Sequence, residues 1–153
     1  MQYLQFLLGE VEFAIDLDII DSVAAFNGGP LLPHPLPQAQ ESIAIRGRKI
    51  PIFGLRERIG LPSEDKAKAK RIIIFSIETS SNGRVLIGSL VDWVGEVLNI
   101  EEAHFIEPSS VVGAALGKHF LKGVASYEGR PIIVLAAEEL FTPDIVKAIS
   151  SAA

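Results

Sequence analysis

The segment that decides the fold is YLQFLLGEVEFAI, residues 3–15. Apolar side chains occupy every second position on both sides of residues 9 and 10, which is the period of half-buried β-strands. They are Leu4, Phe6 and Leu8 before that point and Val11, Phe13 and Ile15 after it. Gly9 suits the first central position of a type II′ turn, because glycine adopts positive φ readily. The segment therefore predicts that the chain opens with a β-hairpin.

Short apolar runs of the same kind recur along the chain. They span residues 42–45, 49–53, 71–77, 84–91, 123–127 and 131–135. The strongest turn signal between them is Asn82-Gly83, since both residues tolerate positive φ, and Gly47 and Gly129 mark two further reversals. Many short strands separated by turns predict an all-β sandwich or barrel.

Three segments depart from this pattern. Residues 27–37 contain four prolines, which remove backbone donors and predict an extended crossing loop rather than a helix or a central strand. Residues 62–70 lack the apolar pattern and are typical of a solvated connector. Thr142 is a suitable N-cap and proline follows it, so residues 142–153 are predicted to form a C-terminal helix packed on a barrel.

Two pairs of similar segments indicate an internal duplication. Residues 18–23 resemble residues 92–97, and residues 47–53 resemble residues 129–135. In the first pair, two apolar residues precede a valine by four and three positions, which predicts one helical turn in each half. The duplication predicts two small barrels around a shared core, with approximate limits 1–65 and 70–141.

Composition and charge limit the class of protein. The 153 residues are 48% hydrophobic, which is enough for one domain with a stable core. The net charge of −5 argues against a nucleic-acid partner, and the lack of cysteine excludes thiolate chemistry. No apolar run approaches the ~18 residues of a membrane span, and the amino terminus lacks the basic region of a signal peptide. We therefore expect a cytoplasmic location without membrane insertion.

Residue patterns typical of catalysis or metal binding are missing from the sequence. The three histidines, His34, His104 and His119, have neither zinc-ligand nor catalytic spacing. Asp16 and Asp18 could share a strand face, but two carboxylates alone are a poor metal site. No nucleophile elbow and no phosphate-binding loop is present, and the basic residues 66–71 are typical of a solvated linker. We expect no enzymatic activity and no cofactor.

Two residues are candidates for contacts with partner proteins. Trp93 is the only tryptophan, and it is either part of the core or an interface anchor, where tryptophan is enriched. Arg46 precedes the turn at Gly47 and is either an ordinary exposed charge or a guanidinium held on a rigid turn toward a carboxylate or a carbonyl.

An ordered set of segments spanning nearly the whole chain resembles the CheW-like domain of bacterial chemotaxis. The segments are residues 3–9, 13–16, 45–47, 50–52, 55–56, 88–98, 120–124 and 129–130. The resemblance implies two SH3-like, five-stranded barrels in a single domain, residues 1–153. It also implies a non-catalytic adaptor that bridges the cytoplasmic helices of chemoreceptors and the regulatory domain of the histidine kinase CheA, which has the same fold.

The resemblance also indicates which residues contact partners. Arg46 is expected at the groove that faces the receptor, Ile20 belongs to the same region, and hydrophobic barrel ends would contact the kinase. The full set of predicted partner-binding residues is Ile20, Ser22, Arg46, Gly47, Ile50, Trp93, Val94 and Val97.

Several positions depart from the family pattern, which indicates a divergent member. Ala44 replaces the usual asparagine, Gly54 and Ala136 replace aspartates, and Ser22 replaces an acidic residue in the receptor contact. Two alternatives therefore stay open. One is a small-molecule-binding or enzymatic barrel that uses the cleft between the barrels with His119 or Asp92. The other is a structural member that binds the kinase but not the receptors.

Overall fold

The structure is a computed structural model of the chain. It describes residues 1–26, 32–36, 39–59, 69–79, 83–106, 120–142 and 146, with the backbone alone at 32–36, 39–41, 57 and 79.

The described part of the chain is built almost entirely from β-strands, as the short apolar runs predicted. The strands are β1 Gln2–Leu8, β2 Val11–Asp16, β3 Ile20–Ala25, β4 Leu32–Leu36, β5 Ala39–Ile45, β6 Arg48–Ile52, β7 Arg71–Thr79, β8 Gly83–Val91, β9 Trp93–Asn99, β10 Phe105–Ile106, β11 Leu121–Tyr127 and β12 Arg130–Leu135. A short helix follows β6 (α1, Leu55–Ile59) and another follows β12 (α2, Ala137–Leu140). Single 3₁₀ turns lie at Leu17–Ile19 and Glu102–His104.

The strands form two six-stranded sheets with the same internal order. The first sheet has the order β10-β11-β12-β2-β1-β9, and the second has β4-β5-β6-β8-β7-β3. Adding six to each strand number of the second sheet gives the order of the first sheet, if strands 13 and 14 are counted as β1 and β2. This agreement supports the predicted duplication. Each sheet takes one hairpin from the opposite half of the chain. This hairpin is β1–β2 in the first sheet and β7–β8 in the second. Neither sheet therefore coincides with residues 1–65 or 70–141, and those barrel limits stay a prediction.

The register of the two edge strands repeats the same irregularity. The matching pairs are Leu4–Val97 with Ile73–Val23, and Phe6–Val94 with Phe75–Ile20. Between these pairs both β3 and β9 carry one residue more than the neighbouring strand, which is a β-bulge. The predicted helical turns at 18–23 and 92–97 are therefore wrong, apart from the 3₁₀ turn at Leu17–Ile19. A bulge changes the apolar spacing of a strand from two to three, and this imitates the spacing of a helix.

We call each sheet, with the side chains packed on it, a module. Among the described residues, buried apolar side chains form three clusters, one inside each module and a larger one between the two modules. Phe6 and Phe13, whose ring centres lie 5.6 Å apart, belong to the large cluster together with Phe75. Tyr3 lies inside the module of the first sheet and Ile50 inside that of the second. Two five-stranded barrels around a shared core were predicted. Among the described residues, each of the two sheets has six strands instead of five.

The predicted reversals at Gly9, Gly47 and Gly129 are present, whereas Asn82 of the fourth lies outside the described residues and its neighbour Gly83 has φ of 70°. Arg46 and Gly47 have φ of 54° and 77°, and Glu128 and Gly129 have φ of 50° and 78°. Positive φ at both central residues identifies type I′ turns, whose twist matches that of hairpin strands. Gly9 has φ of 63°, as a type II′ turn requires.

The remaining predicted segments are only partly described. Within residues 27–37, the described residues form the edge strand β4, where prolines are tolerated. Residues 62–68 of the predicted connector lie outside the described residues. Of the predicted helix 142–153, Val146 is helical and buried, and its N–H donates to the carbonyl of Thr142 at 3.0 Å; the rest lies outside, except Thr142 itself.

Candidate partner-binding surface

Seven of the eight predicted partner-binding residues lie in three places, and the eighth, Ile50, lies on β6. Ile20 and Ser22 are on β3, the edge strand of the second sheet. Arg46 and Gly47 form the β5–β6 turn. The remaining three exposed or half-buried candidates lie on β9, the edge strand of the first sheet.

One face of β3 is partly exposed and faces the first sheet. Residues directly opposite in an antiparallel pair share a face. The pairs are Ile20–Phe75, Val23–Ile73 and Ala25–Arg71. Because Phe75 and Ile73 belong to the cluster between the sheets, the three β3 side chains lie on that side. Ile20 packs against the cluster, Val23 is 39% exposed and Ala25 is exposed.

Ser22 lies on the other face of β3, opposite Ile74, which belongs to the interior of the second module. Its hydroxyl donates to the carboxylate of Asp21 at 3.0 Å. The bulge therefore gives Val23 the place beside Ile20 that simple alternation assigned to Ser22. Sequence analysis missed Val23, and the three-residue spacing of the two side chains was the signal that could have identified it.

The β5–β6 turn presents a guanidinium on a stiff support. Arg46 is exposed and has the left-handed backbone that a type I′ turn requires. Such a conformation costs a residue other than glycine about 1–2 kcal/mol. Ile50, close behind on β6, is only 3% exposed and packs inside the second module. Ile50 therefore has a packing role in this chain, and its predicted partner contact stays a prediction.

Two side chains on β9 are exposed and apolar. Trp93 is 47% exposed and Val97 is 48% exposed, while Val94 packs against the cluster between the sheets. The exposed indole decides against a core role for Trp93. It fits an interface anchor, because tryptophan supplies a large apolar area with few rotatable bonds.

The indole of Trp93 is stacked by a guanidinium from the second sheet. The Cζ atom of Arg71 lies 4.5 Å from the centre of the ring, within the range of a cation–π contact. Arg71 also donates to the carbonyl of Lys70 at 2.9 Å, which holds its side chain at the junction of the sheets. Since Arg71 lies opposite Ala25, it connects β3 to Trp93.

Asp92, the residue before Trp93, forms a partly buried ion pair with Arg56. The carboxylate of Asp92 accepts from the Nη2 of Arg56 at 2.7 Å and from the N–H of Gly9. The N–H of Asp92 donates to the carbonyl of Leu7 at 3.0 Å. These contacts tie β9 to the first hairpin and to α1, so the backbone at Trp93 has little freedom.

Five residues thus form a continuous surface that we call the junction strip. The strip consists of Ile20, Val23 and Ala25 on β3, with Arg71 and Trp93 at its end. From Ile20 to Ala25 it spans four residues of the paired strand β7, which is about 13 Å at the ~3.3 Å per residue of a strand. Its surface is apolar along β3 and combines an aromatic ring with a positive charge at the Trp93 end.

A second apolar surface lies at the end of the first module. A cavity of about 490 Å³ is lined by residues that include Met1, Phe105 and Ile106, of which Ile106 is 49% exposed. The Nζ of Lys122 lies 2.7 Å from the hydroxyl of Tyr3 at the same cavity. A mixed apolar surface of this kind fits the hydrophobic barrel end expected to contact the kinase.

The residues considered for chemistry have structural roles where they are described. Asp16 accepts the N–H of Asp18 at 2.9 Å and caps the 3₁₀ turn. Asp92 is engaged by Arg56 and Gly9, and His119 lies outside the described residues. Within the described ranges, no three acidic or histidine side chains are grouped closely enough to hold a metal ion, and no helix is both long and apolar enough to cross a membrane.

Comparison with known proteins identifies relatives along nearly the whole chain. The family model described as "CheW-like domain" matches residues 2–144. A "Probable chemotaxis protein CheW" from Rhizobium etli is 24% identical, with 92% of this chain and 87% of that protein covered. A "Chemotaxis protein CheW" from Thermotoga maritima is 31% identical, with 95% and 91% covered.

A solved structure has the same architecture. The scaffolding protein TtCheW from Thermoanaerobacter tengcongensis matches with a TM-score of 0.68 and 26% identity, and 92% of each chain is covered. This likeness confirms the predicted fold class of two packed SH3-like barrels. Together with the family match over residues 2–144, it shows that the chain belongs to the CheW-like domain family.

Proposed function

We propose that this chemotaxis adaptor binds a chemoreceptor helix and the regulatory domain of a CheA-type histidine kinase at the same time. The observation that supports the proposal best is the presence of two separate exposed apolar surfaces on one molecule. One consists of the junction strip on β3 and the Arg46 turn between β5 and β6 of the same sheet. The other is the end of the first module around Ile106. Two surfaces on a rigid double module allow one partner to bind without displacing the other.

The receptor helix is assigned to the second sheet. The resemblance to the family expects Arg46 and Ile20 in the receptor contact, and both are accessible on this sheet. A helix packs apolar side chains every three to four residues, which suits a narrow apolar strip bordered by a cation.

The kinase domain is assigned to the end of the first module. A partner with the same fold would meet it end to end, so that Phe105 and Ile106 become buried. Each surface is modest in area, and such contacts are typically micromolar, about −8 kcal/mol. Binding of many copies within an array would raise the apparent affinity.

The proposal includes no catalytic step. The one carboxylate considered for catalysis, Asp92, is held by Arg56 and Gly9 in a structural role. The protein would act at the cytoplasmic side of receptor arrays, where the receptor helices and the kinase are found. Signal transfer then consists of a change in how the two bound partners are positioned.

The test is a titration of the full chain with three preparations: a receptor cytoplasmic fragment, the kinase regulatory domain, and both together. We expect Arg46→Glu to weaken receptor binding at least tenfold and Ile106→Asp to weaken kinase binding at least tenfold. Each variant should leave the other interaction within twofold. Arg84→Glu, at an exposed arginine of the same sheet, is the matched control.

Two outcomes would contradict the proposal. If the partners compete instead of binding together, the two surfaces are not independent. If the chain binds the kinase domain but no receptor fragment, it is the structural family member that the alternative describes. Metabolite binding or turnover by the purified chain would favour the enzymatic alternative.

A further inference from the structure

The Trp93 end of the junction strip is positively charged in a chain that is acidic overall. Arg71 stacks on the indole, Lys70 beside it is exposed, and Asp92, the acid that precedes Trp93 in the sequence, is already paired with Arg56. With a net charge of −5, the chain as a whole repels acidic partners. A local positive group next to an exposed ring therefore favours a carboxylate that lies beside an apolar side chain.

The edge of β9 is poorly suited to binding an added strand. At the bulge, the N–H of Glu96 points inward and donates to the side-chain oxygen of Gln5 at 3.4 Å. The Gln5 amide also occupies the space where a side chain at Gly95 would begin, with its oxygen 2.5 Å from that position. A bulge with inward hydrogen bonds protects an edge from strand pairing. A partner at Trp93 therefore makes side-chain contacts, as a helix does.

The strip is continuous with the surface assigned to the receptor. From Ile20 to Ala25 it spans four residues of β7, because the bulge residue adds no length, which gives about 13 Å or about 9 residues of an α-helix at ~1.5 Å per residue. A helix whose apolar residue contacts Ile20 thus reaches Ala25, opposite Arg71, between two and three turns further along.

We propose that Trp93 and Arg71 form the far anchor of the receptor-helix contact. They recognise an apolar side chain on the free part of the indole and an Asp or Glu carboxylate on the guanidinium, between two and three helical turns from the residue at Ile20. This inference rests on the proposed function. It adds that the contact has an acidic specificity element, set by two residues from different sheets.

The experiment measures binding of the full chain to the receptor fragment and, separately, to the kinase domain. We expect Arg71→Glu and Trp93→Ala each to weaken receptor binding at least tenfold, with kinase binding within twofold. Replacing the facing receptor carboxylate with lysine should restore binding to Arg71→Glu. Arg84→Glu and Val11→Ala, at exposed positions away from the strip, are the matched controls for charge and apolar area.

Salt and conservative variants supply a second measurement. The affinity of the unmodified chain for the receptor should fall with ionic strength more steeply than that of Arg71→Met. Trp93→Phe should retain more binding than Trp93→Ala, because a ring still stacks under the guanidinium. Thermal unfolding of each variant establishes that it is folded.

Each result either supports the inference or overturns it. If the unmodified chain binds the receptor and the Trp93 and Arg71 variants bind equally well, only this inference fails. If the unmodified chain does not bind the receptor, the proposed function fails as well. Loss of kinase binding in these variants assigns the strip to the kinase, and loss of self-association without a change in receptor binding assigns it to a second copy of the chain; both overturn the inference.

Discussion

The ion pair behind Trp93 predicts a specific loss of stability on replacement of Asp92 by alanine. The Asp92 carboxylate accepts two hydrogen bonds, from Arg56 at 2.7 Å and from the N–H of Gly9, and the two side chains are 13% and 23% exposed for Arg56 and Asp92. Hydrogen bonds to charged groups contribute about 1.5–3 kcal/mol, and breaking a fully buried pair costs about 3–5 kcal/mol. For a pair that keeps some exposure we expect a loss of about 2–3 kcal/mol.

Trp93 makes the measurement direct. It is the only tryptophan and follows Asp92, so its fluorescence reports unfolding in urea. A loss of about 2–3 kcal/mol lowers the midpoint of unfolding with little change in slope, and it lowers the Tm by roughly 5–10 °C for a chain of this size. Asp92→Asn keeps the shape and one acceptor and should lose less.

A double-mutant cycle with Arg56→Met tests whether the two side chains act together. We expect a coupling energy of at least about 1 kcal/mol, since contacting residues are not additive. Asp21→Ala, at an exposed carboxylate on the other edge strand, should stay within about 0.5 kcal/mol of the unmodified chain. If Asp92→Ala behaves like Asp21→Ala, or if the cycle is additive, the reasoning about this ion pair is refuted.

Three further substitutions test the packing and the turns. Gly123→Ala places a Cβ atom 2.6 Å from the ring of Phe105, so the ring must move. We expect the free energy of unfolding to fall by about 1–3 kcal/mol and kinase binding to weaken. Unchanged kinase binding would contradict the assigned kinase surface. Gly47→Val meets no atom within 4 Å but has to adopt φ of 77°. We therefore expect calorimetry to show a fall of about 1–2 kcal/mol in the free energy of unfolding from backbone strain alone. Gly47→Asn should show a smaller fall. Phe6→Ala removes a fully buried ring that stacks on Phe13 and should cost about 3–5 kcal/mol in urea unfolding, and a cost below about 1 kcal/mol would place Phe6 outside the core.

Short-range patterns were sufficient to predict most of the strands, the turns and the family, but not the strands β3, β4, β9 and β10. The alternation around Gly9 is visible in the sequence because every second side chain of a half-buried strand faces the core. The reversals at Gly47 and Gly129 are visible because positive φ restricts the residue types that a turn accepts. Residue order alone therefore determined an all-β chain with a duplicated pattern.

The candidate partner-binding surfaces depend on features that no local pattern contains. The bulges in β3 and β9 gave an apolar spacing that sequence analysis interpreted as helical, since a single extra residue in a strand and a turn of helix place apolar residues at the same spacing. Ser22 and Ile50 were predicted as contacts, but one lies on the opposite face and the other is buried. Whether a side chain is exposed depends on which strand pairs beside it.

The exchange of hairpins between the two halves was decided only by the tertiary structure. Because β7 joins the sheet that contains β3, Arg71 lies between Ala25 and Trp93, although these residues are far apart in the sequence. The sequence alone determined most of the segments that become strands, through the local preferences of the backbone and the apolar period. The junction strip exists because long-range burial of apolar surface selects one pairing of those strands, and that selection depends on the whole chain at once.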